Sequence, residues 1–262
     1  MYPTTKNIVL GAGHIYFDEF DAAGALTGER YLAETPGFAM TIATEKVEDY
    51  SSDGEIAEKQ LSKTTKVTRD FSLSLKDISA SNVAMFIIGT SSTQSTTSGA
   101  VTGQAINGGN GVLQGRWYQI GVSASQPTGV RDITTLAIKD DVPTTYTLTD
   151  DYIPDLVNGR IYIVPGGAIA DDTVITADYT KQDRTWEEVT SHDTGPVTGA
   201  LRYVAKNTGG ANKDVYLPSV TMEPNGEFAF KSRDTVQQMG FNVLVATPDD
   251  GRAAVYVNGR AA

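Results

Sequence analysis

The stretch that decides the fold is FAMTIATEKVEDY at residues 38–50, followed by TKVTRDFSLSL at residues 65–75. In the second run, apolar residues such as Val67, Phe71 and Leu73 alternate with polar ones, which predicts a strand with one apolar and one polar face. The first run would be roughly 40 Å long at ~3.3 Å per residue, well beyond a typical strand. We therefore expect a long β-hairpin that extends past its own domain and needs a neighbour.

A short helix is predicted directly after this hairpin, in DISASNVAMFIIG at residues 77–89. Ser79 has the side chain of a helix N-cap, and Gly89 suits a helix end. We expect a packing helix over residues 79–88, whose inward-facing candidates are Val83, Met85, Phe86 and Ile87.

Composition and charge exclude several classes of protein. The 262 residues contain 32 acidic and 21 basic side chains, for a net charge of −11, and no cysteine. Nucleic-acid-binding proteins neutralise phosphates with Lys and Arg, so this balance argues against a DNA binder. Residues 83–88 form the longest apolar run, far short of a bilayer span, and residues 1–5 do not begin a secretory signal. We expect no membrane partner and folding in a reducing cytoplasm.

The fold class is predicted to be mainly β, with one short helix and a β-rich inserted region. We expect an N-terminal half over residues 1–95, a linker and β-rich insert over residues 96–182, and a C-terminal half over residues 183–262. Residues 90–99 have the composition of a flexible linker. In the C-terminal half, Pro224-Asn225-Gly226 predicts a hairpin turn between strands at 215–222 and 227–231.

No catalytic, metal or cofactor site is predicted, and we expect no enzyme. His14 and His192 are the only imidazoles, and neither belongs to a triad or zinc spacing. Acidic clusters would suit calcium or, more simply, turns; they are Asp18-Glu19 with Asp21, Asp140-Asp141, Asp150-Asp151 with Asp155, Asp171-Asp172, and Asp249-Asp250. Trp117 and Trp186 suit either a sugar-stacking platform or a core or interface role.

Several segments together resemble the major tail (tail tube) proteins of long-tailed bacteriophages. The N-terminal part is GERYLAETPGFAMTIATEKVEDYSSDGEIAEK at residues 28–59, followed by the alternating strand and the helix segment. The C-terminal part is VTGALRYVAKNTGGANKDVYLPSVTMEPNGEFAF at residues 197–230 with MGFNVLVA at 239–246, and residues 144–180 are similar to β segments of such proteins.

The resemblance implies a structural virion protein with a tail-tube-type β-sandwich or barrel. In that family, copies form hexameric rings that stack into a hollow tube, the conduit for DNA ejection. Each subunit would supply four strands, giving a shared barrel about 45–50 Å across, which DNA passes without specific binding. Its partners would be further copies of itself, the tape measure protein and the tail initiator and terminator proteins. The implied location is the virion tail, assembled in the host cytoplasm.

Carried onto this sequence, the resemblance assigns roles to three sets of residues. The inter-ring stacking loop would contain Asp49, Tyr50, Asp53, Glu55, Ile56, Glu58, Lys59 and Leu61. The candidate lumen-facing residues are Lys66, Thr68, Asp70, Ser72 and Ser74. The predicted helix would pack outside the inner sheet. Two alternatives remain open, another phage tail, baseplate or decoration protein and a β-sandwich module that binds a glycan.

Overall fold

The computed structural model describes residues 8–140, 145–192 and 195–259, and confirms a mainly β protein with one short α-helix among them. In chain order the elements are β1 (Gly13–Glu19), β2 (Arg30–Tyr31), β3 (Gly37–Tyr50), β4 (Lys59–Leu75), α1 (Ala80–Phe86), β5 (Gly89–Thr96), β6 (Gly99–Ala105), β7 (Trp117–Gln119), β8 (Ile133–Lys139), β9 (Tyr152–Asp155), β10 (Arg160–Ile163), β11 (Thr176–Lys181), β12 (Arg184–Ser191), β13 (Val197–Ala205), β14 (Lys213–Asn225), β15 (Met239–Val245) and β16 (Tyr256–Gly259).

The chain divides into two compact units. The first unit contains residues up to Ser92 and from Glu188 onward, and the second unit is the inserted segment Thr93–Glu187. The chain enters the second unit within β5 and leaves it within β12, and these two strands pair with each other. Each unit has its own hydrophobic core.

The first unit is built on one antiparallel sheet with the strand order β2-β1-β13-β14-β15-β4-β3, and β16 pairs with β14. Phe38 of β3 packs against Tyr203 of β13, with 5.8 Å between ring centroids, although three strands separate them in the sheet. The sheet therefore curls around its apolar face. That face forms the core, in which Phe17, Leu73 and Phe241 are almost completely buried.

Helix α1 covers part of this apolar face. Met85 is buried in the core, and Val83 and Phe86 pack against it. The side chain of Asn82 accepts a hydrogen bond from Arg30 at 2.7 Å and donates to the backbone oxygen of Asp77 at 3.0 Å. Asn82 is completely buried, so these bonds satisfy a polar group that would otherwise destabilise the packed helix.

The helix ends earlier than the sequence predicted. Its last residue is Phe86, Ile87 is the C-cap, and Ile88 takes the left-handed conformation with φ 52°. Gly89 does not end the helix but begins β5. A Cβ at Gly89 would lie only 2.1 Å from the backbone oxygen of Thr190, so glycine is needed there for close strand approach.

The linker predicted at residues 90–99 is wrong. Most of this segment is β5, which pairs with β12. The hydroxyls of Thr90 and Thr190 lie 3.4 Å apart, and the backbone N–H of His192 donates to the backbone oxygen of Ile88. A two-stranded ribbon exposes both faces, so it can consist of polar residues. Composition alone therefore cannot distinguish it from a linker.

The strand predicted at residues 227–231 is also wrong. This segment has no regular structure, and the strand beside β14 is β15. The side-chain amide of Gln237 donates to the backbone oxygens of Ala229 and Phe230, at 2.9 and 2.8 Å. Phe228 packs against Phe86 of the helix. These contacts stabilise a loop where the sequence suggested a hairpin.

The second unit contains two three-stranded antiparallel sheets, β7-β10-β9 and β6-β11-β8. Both contribute to one core, in which Ile161 and Ile163 of β10 meet Ile138 of β8 and Ala177 of β11. Two small sheets that share one core form the β-rich second unit.

We predict that Leu73→Ala lowers the free energy of unfolding by about 2–5 kcal/mol, because Leu73 is 2% exposed and its removal leaves a cavity. Denaturant unfolding of the purified protein measures this change. The control is Val67→Ala, on the same face of the same strand but 41% exposed, which should cost less than 1 kcal/mol. Equal losses at both positions would contradict the assigned core.

Candidate functional site: the projecting hairpin and the open sheet

The β3–β4 hairpin is the most unusual feature of the first unit. Its strands pair from Gly37↔Ser74 to Tyr50↔Lys59, and β3 is about 45 Å long at ~3.3 Å per residue. Strand β15, however, contacts only the inner end of β4, from Phe71 to Leu75. Beyond that point the hairpin has no third strand among the described residues.

The outer hairpin is exposed on both faces, and it contains many apolar side chains. Those more than two fifths exposed are Ile42, Val47, Tyr50, Ile56, Leu61 and Val67, and Met40 at the inner end of β3 is also more than two fifths exposed. A two-stranded ribbon is marginally stable in water, and its unpaired edges attract other strands. Its exposed apolar surface and free edges are features of a strand pair that is completed by another chain.

The predicted stacking residues lie together at the hairpin tip. Asp49 and Tyr50 end β3, Lys59 and Leu61 begin β4, and Asp53, Glu55, Ile56 and Glu58 lie in the connecting turn. All of them are exposed, and Ile56 is 81% exposed. The structure thus brings these residues together at the tip of the hairpin, while their role in stacking stays a prediction.

Local contacts order the base of this tip. Glu48 accepts hydrogen bonds from Lys59 at 2.5 Å and from the Tyr50 hydroxyl at 2.9 Å, and the backbone N–H of Ser51 donates to Glu58. The bond from Lys59 lowers the pKa of Glu48 and raises the pKa of Lys59. These groups are exposed, so the pair fixes geometry more than it stabilises the fold.

The candidate lumen-facing residues share one face of the sheet, opposite the core. Because residues directly opposite in an antiparallel pair point to the same side, this face also includes their partners on β3. Ser72, Asp70, Thr68 and Lys66 lie opposite Ala39, Thr41, Ala43 and Glu45, and Ser74 lies opposite Gly37. Asn242 of β15 continues the face beside Ser72.

This polar face is made of small side chains and has nearly balanced charge. Lys66 forms an ion pair with Glu45 at 2.9 Å, and Asp70 accepts a hydrogen bond from the backbone N–H of Val245 at 3.1 Å. The residues of this polar face do not include a cluster of Lys and Arg side chains. Such a surface has little attraction for nucleic-acid phosphates.

A groove of about 540 Å³ marks the place where the curled sheet does not close. It lies between the start of β1 and the inner end of β3, and its lining is mostly apolar. The lining includes Ile15, Phe38, Met40, Phe71, Tyr203, Val215, Val255 and Val257. Strand β3 has no partner on this side within the described part of the chain.

Sequence reasoning missed the contribution of Tyr203, Val255 and Val257 to this groove. Tyr203 belongs to β13, Val257 belongs to β16, and Val255 lies just before β16. All three are distant from Met40 in the chain, and the curl of the sheet brings them beside it. No local signal in residues 253–257 indicated what these residues would face.

The helix residues fall in two groups. Val83, Met85 and Phe86 lie in α1 and pack on the core, whereas Ile87 is the C-cap that follows the helix. The helix therefore packs on the face of the sheet opposite the polar residues described above.

Several carboxylates of the acidic clusters accept backbone hydrogen bonds, some within a local turn and some from a segment farther away in the chain. Asp21 accepts from the backbone N–H groups of Ala23 and Ala25, and Asp151 accepts from those of Thr147 and Ala168. Asp141 and Asp193 lie outside the described residues. Within the described ranges, no three His, Asp or Glu side chains are grouped to hold a metal ion.

The chain belongs to the family described as "Protein of unknown function UCP028589", whose model matches residues 8–247. No curated protein matches the chain. In the part of the chain that the structure describes, the helices lack the length and apolar character needed to cross a membrane.

We predict that the outer hairpin opens locally in dilute protein, because it lacks a third strand. Amide hydrogen exchange read by mass spectrometry should be much faster in residues 44–64 than in residues 71–75. Both segments belong to the same hairpin, so the inner one is an internal control. Equal protection along β4 would show that the outer hairpin is stable by itself.

Proposed function

We propose that this protein is the tail tube subunit of a long-tailed bacteriophage. Copies of the chain would form hexameric rings, and stacked rings would enclose a channel through which DNA leaves the virion. The resemblance of residues 28–59, 197–230 and 239–246 to tail tube proteins motivates this proposal. The observation that carries it is a curled sheet left open at β3, with its hairpin extending far beyond the neighbouring strand β15.

Ring formation would complete the sheet. In the proposed ring, a neighbouring copy pairs with the free edge of β3 and covers the apolar groove around Phe38 and Met40. Backbone groups at an open edge need hydrogen-bond partners, and a closed barrel removes all edges. Closure would also bury Met40 and Ile42, which are about half exposed in the single chain.

The polar face would line the channel. Strands β14, β15, β4 and β3 are consecutive neighbours, which supports the idea of a four-stranded contribution from each copy. In this arrangement, α1 lies on the outside and the residues from Lys66 to Ser74 face the bore. Their near-neutral charge would let DNA slide without phosphate pairing, in keeping with the net charge of −11.

Stacking of the rings is assigned to the hairpin tip. Ile56 supplies an apolar contact and the surrounding carboxylates supply charge, which together would dock on the next ring. The tape measure protein, the initiator and the terminator would define tube length and its two ends. The protein would then be a component of the virion tail, assembled in the bacterial cytoplasm.

The proposal predicts that the purified protein polymerises as its concentration rises. Negative-stain electron microscopy should show hollow tubes of uniform diameter, with an initiator complex added if spontaneous nucleation is slow. Sedimentation should show large species replacing the monomer. A protein that stays monomeric under all these conditions would contradict the proposal, and single rings without tubes would favour a baseplate component.

Two variants should separate ring closure from stacking. Replacing residues 51–58 by an Asn-Gly turn keeps β3 and β4 paired, so we expect folded subunits that form rings but no tubes. Met40→Lys places a charge in the apolar groove, and we expect a folded monomer that forms neither. Val157→Lys, at a 67% exposed position of the second unit, is the control and should assemble normally. Normal tubes from either test variant would overturn its assigned role.

A further inference from the structure

The second unit presents an aromatic surface that the tube proposal does not use. Trp117 and Tyr162 are directly opposite each other on β7 and β10, with ring centroids 5.4 Å apart. Ile153 of β9 lies opposite Tyr162 on the same face. Trp117 is 48% exposed and Ile153 is 44% exposed. The other face of this sheet, with Ile161, contributes to the core.

Charged neighbours hold the Trp117 ring in place without leaving net charge. The Arg160 guanidinium lies 4.9 Å from the ring centroid and donates to Asp155 at 2.8 Å. Asn158 also donates to Asp155, through its backbone and its side chain. The bond from Arg160, followed by those from Asn158, lowers the pKa of Asp155 to about 2, so its carboxylate stays ionised well into the acidic range.

A groove of about 240 Å³ runs beside Trp117. Its lining consists of Trp117, Tyr118 and Gln119 of β7 together with Ala105, Asn107, Gly108 and Val122. Strand β7 is an edge strand, so its outer backbone groups have no partner strand among the described residues. The Asn107 side chain donates to Gly111 at 2.9 Å, which orients the amide and leaves its oxygen as an acceptor.

From these features we infer that the groove beside Trp117 binds a neutral saccharide. The C–H face of a sugar ring packs on an exposed indole, and its hydroxyls both donate to and accept from neighbouring groups. The backbone edge of β7 and the Asn107 oxygen offer both kinds of partner beside the aromatic ring. Because Arg160 and Asp155 neutralise each other, the local charge favours an uncharged ligand.

Other ligands fit the groove less well. A peptide added as a strand would need a longer edge than the three residues of β7. A standard protein interface uses about 20–30 residues on each side, whereas seven residues line this groove. The net charge of −11 disfavours a nucleic acid. The inference goes beyond the proposed tube function, since it concerns the second unit alone.

The test uses the full-length chain on an array of immobilised neutral hexose and N-acetylhexosamine oligosaccharides, with sialylated glycans included. We expect binding to at least one neutral class. Trp117→Ala should weaken that binding about tenfold or more, measured by calorimetric titration of the same oligosaccharide. Trp186→Ala is the matched control, because Trp186 also lies beside an arginine, Arg184 at 5.0 Å, and its loss should leave the affinity unchanged.

A second readout uses intrinsic fluorescence. The chain has two tryptophans, so Trp186→Phe leaves Trp117 as the only indole, and its emission should shift as the oligosaccharide is added. Thermal unfolding of each variant checks that the fold is kept. The inference is overturned by a chain that binds no neutral saccharide, by binding restricted to anionic glycans, or by equal effects of the two alanine variants.

Discussion

The backbone hydrogen bonding of β3 is the constraint on which the first unit depends. Every strand between β1 and β4 in its sheet has a partner on both sides. Among the described residues, however, β3 pairs only with β4, and the outer half of β4 pairs only with β3. A long, free edge attached to an apolar groove is a hazard for a monomer, because it pairs with any strand that fits. In a protein that assembles, the same edge is the means of assembly.

The two faces of the sheet have different roles in the first unit. On one face, Phe71, Leu73 and Leu75 enter the core, and α1 covers part of it. On the other face, serine, threonine and a balanced Glu45–Lys66 pair leave a smooth polar surface. A single strand contributes to both faces because its side chains alternate between them. Different residues therefore determine the core packing and the surface chemistry.

The second unit adds its own core to this arrangement. Its apolar residues are mostly isoleucines drawn from both sheets, and the chain enters and leaves it through paired strands β5 and β12. A unit attached in this way can differ in chemistry from the first. The surface around Trp117 is an example, since its aromatic and charged groups come only from β7, β9 and β10.

The sequence by itself determined the local features. Alternation predicted the hairpin and the faces of Phe71 and Ser72, and the apolar run at residues 83–86 with Ser79 before it predicted the helix. Only the tertiary structure decided which apolar side chains are covered. Val67 and Ile42 follow the same alternation as Leu73 yet stay exposed. The alternation of a strand determines which face of the sheet a side chain is on, but it does not determine whether another part of the protein packs on that face. Contacts that the local pattern does not show also decided two other segments. Residues 90–96 form a strand because they pair with the distant strand β12, and residues 227–231 form a loop held by the nearby Gln237 amide and by Phe86 of the helix.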